Sequence, residues 1–184
     1  MSAAALLGQS ASFTPQQIVT TNASGAFSVA VADLDGDNDL DVISASEYDG
    51  KIAWYENIGS ATYGPQRVLT GPGAGASGAR CVFAADLDGD NDIDVLSASF
   101  NDDKIAWYEN LGGGAFGVQQ VIHDAADGAW SVYAADLDGD NDLDVLSAST
   151  YDDTVAWYEN LGGGTFGSKQ VISTSADFLT LIHI

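Results

Sequence analysis

A nine-residue acidic pattern, Asp-x-Asp-Gly-Asp-Asn-Asp-x-Asp, occurs three times in register with the sequence around it. It begins at Asp33, Asp86 and Asp136, in steps of 53 and then 50 residues. Trp54, Trp107 and Trp157 keep the same steps. The repeating unit is therefore about 50 residues long, and self-similarity at that period restricts the chain to repeat architectures. The three extra residues of the longer step fall between Trp54 and Asp86, where the Gly/Ala-rich stretch Gly71 to Gly78 lies.

Within each unit the apolar runs are short, rich in branched and aromatic residues, and bounded by Gly, Asp and Asn. In the first unit they are Val29 to Ala32, Asp41 to Ser46 and Lys51 to Glu56. A fourth run follows the Gly-rich turn, at Gln66 to Thr70, Gln119 to His123 and Gln170 to Ser173. No window between these breakers sustains a 3.6-residue apolar period, so the runs read as strands. The predicted fold is all-β, with β-propeller blades of four antiparallel strands. There are three complete repeats (27–79, 80–129 and 130–176) plus partial terminal blades. Residues 1–12 form an N-terminal segment. Residues 13–26 hold an orphan outer strand, Gln16 to Thr20, with its connection, and 177–184 occupy the place where a further blade would start.

Propellers close with roughly 4–8 blades. An arc of three would leave sheet faces and edges open at both ends, an aggregation liability. Two chains would supply six complete units, so a homo-oligomer, with a dimer favoured, is one expectation. A chain that forms part of a longer propeller is the other.

Charge narrows the partners. The chain has 27 acidic residues against 5 basic ones, a formal charge of −22. No surplus of Lys or Arg exists to replace phosphate counterions, which argues against nucleic acid and anionic membrane surfaces. An apolar content of 46% is too high for global disorder. No apolar run approaches the roughly 18 residues of a membrane span, so no membrane insertion is expected. Met1 to Gly8 lack the basic start and apolar length of a secretion signal. Cys81 is the only cysteine and sits in an apolar run, which predicts a buried, inert thiol.

The acidity is concentrated in the three loops, which hold 15 of the 27 acids. These are Asp33, Asp35, Asp37, Asp39 and Asp41; Asp86, Asp88, Asp90, Asp92 and Asp94; and Asp136, Asp138, Asp140, Asp142 and Asp144. Carboxylates at positions 1, 3 and 5 of a tight loop converge, a backbone carbonyl at 7 adds an oxygen, and position 9 closes the shell. An all-oxygen anionic shell suits Ca²⁺; Zn²⁺ would want His or Cys, and Mg²⁺ keeps its waters. Three Ca²⁺ sites are expected, one per repeat. Five carboxylates within nine residues would otherwise repel one another. Asn38, Asn91 and Asn141 stand at position 6, where the turn needs positive φ, which Asn tolerates. An EF-hand needs flanking helices and Glu at position 12, but that position holds Ser44, Ser97 and Ser147.

The run Val132 to Val145, together with Phe116-Gly117, Phe166-Gly167 and the near match Tyr63-Gly64, resembles the FG-GAP/VCBS repeat of integrin-α-type propellers over about residues 13 to 173. The resemblance implies a Ca²⁺ loop joining the first two strands of each blade. Asp33, Asp35, Asp37 and Asp41 would then be side-chain ligands and Asp39 would give mainly its carbonyl, with the same roles at the equivalent positions of the other loops. It also implies an extracellular or cell-surface protein that binds a protein or glycan.

The Trp-Tyr-Glu-Asn motif at 54–57, 107–110 and 157–160 suggests sugar binding, but packing explains it more simply. Trp54 should fill the core between blades while Tyr55 faces the other way. Trp130, where the other repeats have Phe27 and Arg80, is a slightly better candidate for an exposed contact, though packing remains its simpler reading too. The second-to-third-strand loops, carrying Tyr48, Asn101 and Tyr151, could stack on a sugar or be plain hairpin turns. The only histidines, His123 and His183, sit in no nucleophile motif, and no enzyme activity is expected. The open readings are a lectin-like propeller, a protein-adhesion module and a structural propeller fragment whose only ligand is its own copy.

Overall fold

The computed structural model describes residues 16–60, 62–70 and 75–176, and among them there is no helix. Blade 1 comprises β1 (Ala26–Ala32), β2 (Asp41–Ser46), β3 (Lys51–Tyr55) and β4 (Arg67–Val68). Blade 2 comprises β5 (Ala79–Ala85), β6 (Asp94–Ser99), β7 (Lys104–Tyr108) and β8 (Gln120–His123). Blade 3 comprises β9 (Ala129–Ala135), β10 (Asp144–Ser149), β11 (Thr154–Tyr158) and β12 (Gln170–Ser173). Each blade is a four-stranded antiparallel sheet in simple sequence order, the arrangement of propeller blades.

Register decides which side chains meet. Ile43 pairs with Trp54 and Val42 with Tyr55, so Trp54 and Tyr55 take opposite faces. The first inter-blade core joins Ile43, Ile52 and Trp54 of blade 1 to Val82, Val95 and Tyr108 of blade 2. The second joins Leu96, Ile105 and Trp107 of blade 2 to Val132, Val145 and Tyr158 of blade 3. Trp of one blade and Tyr of the next thus share each core, as the alternation predicts. The Tyr hydroxyls stay satisfied, because Gln66 Nε2 donates to Tyr55 and Gln119 Nε2 donates to Tyr108, each at 2.9 Å. The indole edges lie against the Gly-rich turn of the following blade. A Cβ added at Gly114 would come within 2.7 Å of Trp54, and one at Gly164 within 2.5 Å of Trp107.

The first strands of the three blades converge. Phe83 and Tyr133 rings stand 4.6 Å apart, and Val82 N–H donates to Ser28 Oγ at 3.4 Å. Cys81, on β5, is half-buried rather than fully buried; its Sγ faces the Val132 carbonyl of β9, and burial pushes its thiol pKa up.

Two expectations meet a different outcome. Gln16–Thr20 forms no strand. A fourth strand needs a third strand beside it, and none lies there among the described residues. The segment instead lies against the open face of blade 1, lining with Val29, Val42, Ser44 and Tyr55 a cleft of about 290 Å³. The fourth strand of blade 1 is also shorter than expected, two residues against four in blades 2 and 3. The expected start of a further blade, Phe178 to Ile184, lies outside the described residues.

Candidate metal centre

The three acidic loops join the first and second strands of their blades and fold alike. Asp33 organises its loop by accepting Gly36 N–H at 2.8 Å on one oxygen and Asn38 N–H at 2.9 Å on the other. Asp86 does the same for Gly89 and Asn91, and Asp136 for Gly139 and Asn141. Asp37, Asp90 and Asp140 each accept the N–H two residues on. Asn38, Asn91 and Asn141 have φ of 70°, 75° and 78°, the left-handed conformation that position 6 calls for.

Three carboxylate oxygens come within 4.8 Å of one another in every loop. The groups are Asp33, Asp35 and Asp37; Asp86, Asp88 and Asp90; and Asp136, Asp138 and Asp144. Position 9 is fully buried at Asp41, Asp94 and Asp144. Both of its oxygens are used in the same way each time. In blade 2, Asp94 accepts Leu87 N–H at 2.9 Å and Asn110 N–H at 2.8 Å, tying the loop to the end of β7. Asp41 ties Leu34 to Asn57, and Asp144 ties Leu137 to Asn160. Position 9 enters the three-carboxylate group only in the third loop. Asp39, Asp92 and Asp142, at position 7, stand outside all three groups.

Electrostatics favour a cation at these loops. Burial pushes the Asp94 carboxyl up to about 7, more than its two backbone N–H bonds offset. Burial also raises Asp41. Asp35 and Asp88 are raised by burial first and by neighbouring carboxylates as well. The donor set is oxygen alone and anionic, which fits Ca²⁺.

The opposite end of the blades carries aromatic side chains. Arg80 Cζ lies 3.8 Å from the Phe100 ring centroid, 4.1 Å from Trp130 and 5.1 Å from Phe27, and its guanidinium pairs with Glu47 at 2.6 Å. Phe27, Arg80 and Trp130 are equivalent positions in three blades, so Trp130 packs around this guanidinium rather than standing free. Tyr48 and Tyr151, on the second-to-third-strand loops, are 80% and 67% exposed beside it. Two structural features escape a reading of the motifs one at a time: the Asn that closes Trp-Tyr-Glu-Asn, which at 110 and 160 bonds to the preceding blade, and Arg80. The threefold recurrence of that Asn is the signal that points to it. Arg80 is marked by being the one cation at a position otherwise aromatic.

The FG-GAP-like repeat model matches residues 33–97, 86–147 and 136–182. No curated protein matches the chain. Among solved structures, a lectin of Agrocybe aegerita that recognises non-reducing terminal N-acetylglucosamine is similar, with 23% identity and a TM-score of 0.58. The match covers 82% of this chain and 39% of the lectin. The biofilm matrix protein Bap1 of V. cholerae aligns with 20% identity and a TM-score of 0.49, over 78% of this chain and 20% of that one. The chain thus spans about two fifths of the lectin's length, and the likeness is one of fold.

Proposed function

The chain belongs to the FG-GAP-like repeat family, and from that premise we propose that it is a Ca²⁺-stabilised propeller module that binds a protein or glycan outside the cell. The observation that carries the reading is the threefold recurrence of three carboxylate oxygens within 4.8 Å. Asp33, Asp35 and Asp37, Asp86, Asp88 and Asp90, and Asp136, Asp138 and Asp144 would hold the ions, with Asp41, Asp94 and Asp140 as further carboxylates and the carbonyls of Asp39, Asp92 and Asp142 completing each set. The ion supplies positive charge that cancels carboxylate repulsion and holds the hairpin folded. Its binding energy adds to stability, about 2.7 kcal/mol per site when free Ca²⁺ is 100 times Kd. A shell of carboxylates and a carbonyl would leave little room for a reacting water, which supports a module that binds rather than catalyses.

A glycan is the favoured ligand class on one observation. Tyr48 and Tyr151 are exposed aromatics on loops beside the Arg80 cluster, the flat apolar surfaces on which pyranose rings stack. Saturable glycan binding lost in Tyr48→Ala and Tyr151→Ala supports that ligand class, and binding unchanged in both removes it. Calorimetric titration tests the metal reading: three Ca²⁺ per wild-type chain and two in Asp35→Ala. An unchanged count in Asp35→Ala, or no uptake at all, overturns it.

A further inference from the structure

Among the described residues blade 2 has a neighbouring blade on both faces, whereas blades 1 and 3 each have one on a single face. The two open faces are the two halves of an interface that the chain already makes twice. Val29 occupies the position of Val82 and Val132, yet it is 69% exposed against their 4% and 2%. Leu137 occupies the position of Leu34 and Leu87, yet it is 43% exposed against 1% for each of them. Trp157 is half-buried where Trp54 and Trp107 are buried.

The polar part of the interface is divided in the same way. Asn110 Nδ2 donates to Leu34 O of blade 1 at 2.8 Å, and Asn160 Nδ2 donates to Leu87 O of blade 2 at 2.7 Å. Asn57 Nδ2 makes only the bond within its own blade, to Leu40 O at 3.1 Å. Among the described residues no Asn side chain reaches Leu137 O. Donor and acceptor therefore stand at opposite ends of one chain.

We propose that the open face of blade 3 docks on the open face of blade 1 of a second copy, head to tail. Leu137 and Trp157 then cover Val29 and Val31 of the other copy, whose Asn57 donates to the Leu137 carbonyl. The partner is a second copy because the internal interfaces show what each face accepts, and the other half is present on every chain. Two copies make this contact twice and close six blades around one axis, within the range in which propellers close. The inference rests on the propeller-module reading and specifies its self-association.

One feature sets the strength of the contact. The segment Gln16–Thr20 lies on the same face of blade 1 without strand pairing, and its Ile18 is 68% exposed. It yields to the incoming blade.

The test is molar mass by light scattering after size exclusion, in Ca²⁺. The wild-type chain should have twice the 19.0 kDa of one copy. Val29→Glu alone and Leu137→Glu alone should each run as single chains, since each spoils one half of the contact. An equimolar mixture of the two should give a one-to-one pair, because the blade 3 face of the first still fits the blade 1 face of the second. A wild-type chain that stays single overturns the proposal and means that other polypeptide covers these faces. So does a pair that survives Leu137→Glu but not Val29→Glu, which would mean contact between like faces, or a mixture that stays single. Three Ca²⁺ bound by a single chain would sink the closure alone and leave the metal reading standing.

Discussion

Blades 1 and 2 carry closely related sequences, and they differ in what covers them. Val82 is buried by blade 1, while Val29, at the same position in blade 1, is exposed. Leu87 packs in the core shared with blade 3, while Leu137, one repeat later, is 43% exposed among the described residues. The difference teaches that burial in a stacked repeat belongs to the interface rather than to the residue. Stability here is a sum of units and the contacts between neighbours. Equivalent substitutions should therefore have unequal effects in the middle and at the ends.

The largest contrast should come from the tryptophans. Trp107→Ala empties the core between blades 2 and 3 and should cost about 3–5 kcal/mol in urea unfolding. Trp157→Ala, at a half-buried position, should cost less than half of that in the single chain. Equal losses would break the comparison.

The asparagines come next. Asn110→Ala strands the carbonyls of Leu34 and Ile93, which its side chain now satisfies, and should lower stability by about 2–3 kcal/mol. Asn57→Ala frees the Leu40 carbonyl and the Gly59 N–H within its own blade, where water can reach Leu40, and should cost under about 1 kcal/mol. Thermal unfolding in Ca²⁺, at concentrations too low for copies to pair, separates the two.

The smallest effects sharpen the scale. Val82→Ala should cost about 2 kcal/mol, by loss of buried methyl groups. Val29→Ala should stay within about 0.5 kcal/mol in the single chain, as surface substitutions do. A loss at Val29 as large as that at Val82 would mean that the blade 1 face is covered by polypeptide of the same chain.

Much of this was legible in the sequence, because the strands and loops are set by local chemistry repeated three times. Alternation placed Trp54 and Tyr55 on opposite faces, and the order of the runs, with the family resemblance, placed the acidic loops between first and second strands. The Asn at position 6 signalled the positive φ that it adopts. What was not legible depends on neighbours. Gln16–Thr20 has the composition of a fourth strand, but composition does not supply the third strand it would pair with. The link from Asn110 to Leu34 spans 76 residues, and no local pattern foretells it. Asp41 and Asp94 read as plain members of the acidic set, yet each is fully buried and fastens its loop to the end of the third strand through two backbone N–H groups.

The central claim is that three equivalent loops are held by Ca²⁺, and hydrogen–deuterium exchange resolved by peptide tests it loop by loop. The amides of Gly36, Asn38 and Asp39, with their equivalents at 89, 91 and 92 and at 139, 141 and 142, donate to loop carboxylates. The account predicts that peptides spanning 33–41, 86–94 and 136–144 all exchange more slowly in Ca²⁺ than in chelator. Exchange in these three segments that is the same with and without Ca²⁺ would contradict it.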